Sequence, residues 1–146
     1  MSTAAQFTNP TDALTAIFAG NATFTLVSKK TGARYTFKVR KPKNDGPPVF
    51  FASLLTGANN ETDFTYMGIA KKNGVRTTAK SSMTNESTPV KALDWALQNL
   101  DAGHMPETME VWHTGRCMRC GRLLTVPESV ASGIGPDCAE KMAAGE

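Results

Sequence analysis

The sequence predicts an α+β fold: an antiparallel sheet of about five strands, covered by an amphipathic helix and followed by a small cysteine-bearing module. Three observations carry this expectation. Apolar and polar residues alternate with period two through much of residues 22–80, the spacing of a half-buried strand. A helical period takes over at residues 88–103, and all three cysteines fall after residue 116. The expected organisation is a sheet-plus-helix domain over 1–103 and a module over 104–146.

In chain order, "TNPTDALTAIFAG" opens with a short helix over residues 8–20. Asn9 or Thr8 stands before Pro10 as its cap, and Gly20 stops it. "TFTLVS" and "ARYTFKVR" then alternate around "KKTG" as a hairpin. In its second strand Tyr35, Phe37 and Val39 point one way and Arg34, Thr36, Lys38 and Arg40 the other. "KPKNDGPP", Lys41 to Pro48, is a loop by composition, and "VFFASLL" reads as a buried strand. A second hairpin follows in "FTYMGIAKKNGVRTTAK", turning at Asn73-Gly74, the best short-range hairpin signal in the chain. Beyond a polar spacer, "TPVKALDWALQNLDAG" has Thr88 as cap, Pro89 at the first helical position and Gly103 as terminator. Val90, Leu93, Leu97 and Leu100 form its apolar stripe, which must lie on the sheet, while Trp95 caps the core edge. "MEVWH" reads as one more strand.

Composition excludes several classes. Hydrophobic residues make up 40% and charged residues 20%, as in ordinary globular proteins. No run approaches the roughly 18 apolar residues that cross a bilayer, and the N-terminus lacks a basic start followed by an apolar stretch, so the cytoplasm is the expected compartment and no membrane partner is expected. Three cysteines cannot all pair, which turns the reading from disulfides to metal. Charge is uneven: residues 1–85 hold eleven Lys/Arg against four Asp/Glu, and residues 86–146 hold five against nine.

Cys117 and Cys120 flank two residues and precede Gly121, the spacing of a zinc knuckle. Cys138 follows Pro136 on the expected first turn of a helix, where free backbone N–H groups favour a thiolate. A knuckle followed by a ligand on a helix start is a treble-clef-like arrangement for Zn2+. A closed structural site needs a fourth ligand; His113 is the first choice, with His104 or a water or carboxylate as alternatives. Gly133 and Gly135 turn the chain tightly toward Cys138.

The run "GRCMRCGRLLTVPESVASGIGPDCAEKM" resembles the tail of an uncharacterised family of small phage and bacterial proteins. The matching positions include Gly115, Cys117, Cys120, Gly121, Arg122, Leu124, Thr125, Pro127, Ser129, Gly133, Ile134, Gly135, Pro136 and Cys138. The resemblance implies a zinc-binding accessory protein, in the host cytoplasm if phage-encoded. It implies no reaction or ligand.

An enzyme is not expected, because a four-ligand shell leaves no place for an activated water and no acid/base partner stands at motif spacing. The basic residues point instead to phosphates. Arg34, Lys38 and Arg40 share a strand face; Lys71, Lys72, Arg76 and Lys80 decorate the second hairpin, with Lys80 on the strand side of Arg76; Arg116, Arg119 and Arg122 surround the knuckle. The expected function is that of a non-catalytic accessory protein binding DNA or RNA. The alternative is a protein-interaction module or inhibitor that binds a host enzyme or defence complex. Because Tyr35 and Phe37 point inward, no stacking aromatics are expected on the basic face, and hence no base-specific recognition.

Overall fold

The computed structural model describes residues 5–41, 49–58, 63–125 and 127–143. The expected loop after Lys41 and most of the polar loop before Asp63 lie outside the described residues.

Helix α1 (Pro10–Ile17) begins as its sequence dictates: the Asn9 side-chain oxygen accepts from the Thr11 and Asp12 N–H groups at 2.8 and 3.2 Å. Asn9 rather than Thr8 is therefore the cap. Ala13, Ala16 and Ile17 are buried, with Leu14 and Phe18 packed beside them.

The strands are β1 (Ala5–Phe7), β2 (Asn21–Ser28), β3 (Arg34–Arg40), β4 (Phe50–Leu55), β5 (Phe64–Lys71), β6 (Gly74–Arg76) and β7 (Met109–His113). Among the described residues they form one seven-stranded antiparallel sheet in the order β1-β7-β2-β3-β4-β5-β6. The five strands expected between residues 22 and 80 are β2 to β6, a simple meander; β1 and β7 extend the sheet beyond that number. β7 lies inside it, paired to β1 on one side and β2 on the other. A boundary at 103/104 thus falls before an interior strand of the sheet, because Met109, Val111 and His113 alternate inward and are buried in the common core.

Register changes between Ala52 and Ser53 of β4, so that Met67 of β5 is the extra residue of a bulge. Next to it a Cβ on Gly68 would collide with the Arg76 backbone, which explains glycine there. Lys80, expected on the strand side of Arg76, instead follows the end of β6 in a turn.

Helix α2 (Thr88–Asp101) has Ser87 at its N-cap position, one residue earlier than expected and without a side-chain cap bond, and buries Val90, Leu93, Ala96, Leu97 and Leu100. It lies against β6 and α1, and the Asp94 carboxylate accepts the Val75 N–H at 3.0 Å. Trp95 is 46% exposed and lines an apolar groove with Leu26 and Tyr35. Helices α3 (Pro127–Ser132) and α4 (Pro136–Ala143) are the last described elements, α3 touching β1 and α1. Among the described residues no helix is long and apolar enough to cross a membrane.

Helices α1, α2 and α3 pack on one face of the sheet. Phe7, Phe24, Phe37, Val39 and Val111 point into that core, with the Phe24 and Phe37 rings 5.8 Å apart. The other face carries no described helix. "VFFASLL" is therefore not a doubly buried strand: Phe50 packs on the core, whereas Phe51 is 37% exposed on the opposite side.

Candidate metal centre and the basic sheet face

The tail folds back on itself as a tight turn. Arg116 bridges to Leu123, Cys117 N–H donates to the Arg122 carbonyl and Leu124 N–H to that of Gly115, each of these two at 2.8 Å. The turn closes through Gly121, whose N–H donates to the Cys117 carbonyl at 2.8 Å and whose φ of 82° is left-handed. Asn21 N–H at the start of β2 donates to the Met118 carbonyl, and Met118 N–H donates to Gly133. The knuckle is thereby tied to the sheet on one side and to the loop before α4 on the other.

Three sulfurs meet there. Cys117, Cys120 and Cys138 lie within 4.8 Å of one another, Cys117 and Cys138 buried and Cys120 exposed. Thiolates sharing a tetrahedral ion at a metal–sulfur distance of about 2.3 Å stand roughly 3.8 Å apart, so the donor set fits one ion with little movement. Cys138 is the third residue of α4, as its spacing predicts. Burial pushes the Cys117 thiol up, but donors from Gly135, Cys120 and Arg119 outweigh it and bring it down to about 7. For Arg119 the donor is the backbone N–H, 3.4 Å from the sulfur. Cys138 is raised, by burial first and by the neighbouring Cys120 sulfur next, against a hydrogen bond from the Arg119 side chain. Cys117 is thus prepared to ionise, and Arg119 faces the sulfurs with a positive charge that suits an anionic thiolate cluster. The cluster is capable of coordinating a metal ion.

His113 is not among the clustered ligands. Its Nδ1 accepts the Gly115 N–H at 2.9 Å, leaving Nε2 to donate to the Val130 carbonyl. Its ring meets Phe7 edge-on with centroids 5.3 Å apart, and the residue is 1% exposed. Both nitrogens are occupied, so no lone pair is free for a metal. Burial lowers its pKa, with the Val130 bond opposing. The alternation of β7 carried this information: His113 has the parity of Val111, and hence the core side. His104 is exposed beyond α2 and does not join the sulfurs either. Among the described residues no fourth His, Cys, Asp or Glu atom completes the group.

The uncovered face gathers many of the predicted basic residues. Register places Arg40, Phe51, Ile69 and Arg76 in one row across four strands, and Thr23, Lys38, Ser53 and Tyr66 in the next. Arg34 and Lys71 share this side by alternation, with Lys72 in the adjoining turn. Arg116 sits at the rim, its guanidinium donating to the Gly121 carbonyl at 3.1 Å. Arg119 is turned to Cys138, and Arg122 stands 4.0 Å from Asp137, both ends well exposed. Within the described strands the only carboxylate is Glu110, already engaged by Lys29 and the Trp112 ring N–H.

Aromatic side chains share the face, contrary to expectation. Phe51 and Tyr66 meet edge to face at 5.9 Å, the Lys38 ammonium lies 5.2 Å from the Phe64 centroid, and Trp112 is on the same side of β7. The signal was present in "VFF", "FTY" and "EVW", but it required knowing which parity faces the core. Two hollows of about 660 and 430 Å3 run along this face, sharing Thr25 and Thr114, and the knuckle residues Arg116, Cys117 and Gly121 wall the larger one.

Fold and site define an α+β protein whose C-terminal region carries a cysteine cluster able to hold a metal. Residues 109–143 match a family of unknown function, DUF6011, which spans β7 and the whole cluster. No curated protein and no solved structure gives a significant match.

Proposed function

We propose that the chain is a non-catalytic accessory protein of a phage or bacterium that acts in the cytoplasm. A treble-clef-like tail holds a structural Zn2+, and the uncovered sheet face binds DNA or RNA. Three thiolates suit zinc better than the hard oxygen-seeking cations. In a tail with few large apolar side chains, the ion would supply folding free energy that packing does not. The observation that carries the nucleic-acid reading is the charge of the bare face: within the described strands Arg34, Lys38, Arg40, Lys71 and Arg76 stand on it against Glu110 alone, which Lys29 engages. A polyanion satisfies such a face by releasing its counterions.

Fluorescence anisotropy with labelled oligonucleotides tests this reading. Binding should weaken steeply between about 50 and 200 mM salt, with a log–log slope near −0.7 per phosphate contacted on single strands or −0.9 on duplex. Absence of binding to any DNA or RNA at the lower salt would refute it. One observation favours the alternative, a module that engages a host enzyme or defence complex: half-exposed Trp95 lines the apolar groove between α2 and the β2–β3 hairpin, a feature common at protein contacts. A complex that forms there would persist at moderate salt.

A further inference from the structure

We infer that the polyanion taken by the uncovered sheet face is a single strand, its bases stacked on Phe51, Tyr66 and Trp112 while Lys38, Arg40 and Arg76 hold its phosphates. The inference rests on the nucleic-acid reading above and names its substrate class. Charge alone does not distinguish a strand from a duplex, since both present phosphates. Exposed rings do. In a duplex the faces of the bases are hidden against one another, so aromatic side chains on a protein surface gain nothing from them; unstacked bases offer a free π-face to any ring.

Two of the three rings share register rows with cations, and Trp112 lies in the row of Thr25 and Thr36. Phe51 stands between Arg40 and Ile69 in one register row, and Arg76 closes that row three strands from Arg40, roughly 14 Å away at ordinary strand spacing. Tyr66 ends the neighbouring row, with Lys38 two strands away. The edge-to-face contact between Phe51 and Tyr66 props the two rings against each other, so little side-chain freedom is left to lose when a base arrives. Between the rings most of the floor is small and polar: Thr23 and Ser53 flank Lys38 in one row, Thr25 and Thr36 pair in the next with their hydroxyls bonded at 2.8 Å, and Leu55 lines the hollow beside them. Such a floor admits a sugar–phosphate backbone closely. At the far side the metal knuckle forms a wall, and Arg116 on it extends the cationic path. The cysteine cluster therefore acquires a second task, shaping one bank of the strand's channel.

The test uses the full metal-loaded chain and one oligonucleotide sequence of about 12 nucleotides, within the usual site size of such surfaces, in three forms: single-stranded DNA, single-stranded RNA and duplex DNA. At low salt at least one single strand should bind roughly tenfold or more tightly than the duplex. Phe51→Ala and Tyr66→Ala should each weaken that binding by about five- to 150-fold, the usual cost of a lost stacking ring. Phe51→Leu keeps the apolar bulk and removes the ring; it should lose affinity with an unchanged melting temperature. In Trp95→Phe, Trp112 is the remaining tryptophan, and its fluorescence should be quenched by the single strand. Equal or tighter binding of duplex, or wild-type affinity in Phe51→Leu and Tyr66→Ala, overturns the inference while leaving phosphate binding standing. Failure of all three forms to bind overturns the nucleic-acid reading itself.

Discussion

Replacing Cys138 by Ser removes one of three clustered sulfurs and tests whether a metal orders the tail. Among the described residues between 114 and 143, the large apolar side chains buried are Met118, Leu124 and Ile134. At about 1.5–3 kcal/mol for each buried side chain, they contribute roughly 5–9 kcal/mol, and that must offset the ordering of the whole segment. A structural zinc contributes about 10–16 kcal/mol in small domains. Loss of the ion should therefore release the tail while the sheet stays folded. Hydrogen exchange reads this at a single amide: Asn21 N–H, bonded at 2.9 Å to the Met118 carbonyl, reports docking of the knuckle, whereas the β2–β3 ladder reports the sheet. Because global unfolding limits what exchange can register to about 5–15 kcal/mol, the expected fall at Asn21 is at least about 4 kcal/mol, near a thousandfold in protection. Elemental analysis should show one zinc per chain in wild type and a large loss in the variant. Asn21 remaining as protected in metal-free protein as in the loaded form would refute the reasoning.

Four further outcomes are expected. His113→Ala should retain zinc stoichiometry yet cost about 2–4 kcal/mol, since it strands the Val130 carbonyl and the Gly115 N–H and empties buried volume; loss of zinc with an intact fold would make His113 a ligand after all. Because burial lowers the folded-state pKa of His113, the unfolded chain binds the proton more readily; its contribution to stability is complete above about pH 6.5 and is lost as pH falls below that, which denaturant titrations at several pH values measure. Gly133→Ala should cost about 1–3 kcal/mol, because a Cβ would stand 2.8 Å from Phe7 Cζ on a backbone with φ of 73°; an unchanged melting temperature would contradict it. Asp94→Ala should cost about 1–2 kcal/mol and speed amide exchange at Val75, whose N–H it leaves without its acceptor.

Local chemistry was readable along the chain. The meander β2 to β6 follows from alternation and from the Asn73-Gly74 turn; α1 and α2 follow from Asn9-Pro10 and from the leucine spacing; Cys138 falls on the first turn of α4 because Pro136 starts that helix. Each of these depends on interactions spanning a few residues, which a linear sequence displays. The clustering of Cys117 with Cys120 belongs to the same class, and the approach of Cys138 was legible from Pro136 and from Gly133 and Gly135 before it.

Three outcomes depended on distant contacts. Five residues at 109–113 entered the sheet between β1 and β2, which no spacing near them announces, since backbone hydrogen-bonding groups accept any strand of suitable edge and register. That insertion turned His113 into the core beside Phe7 and away from the sulfurs. Alternation specifies that Phe51, Tyr66 and Trp112 oppose the core only once the core side is known, and the core side is chosen by where α1, α2 and α3 pack. A period of two divides a strand's residues into two sets, and burial of helices against one set, a long-range event driven by apolar area, chooses which set meets water.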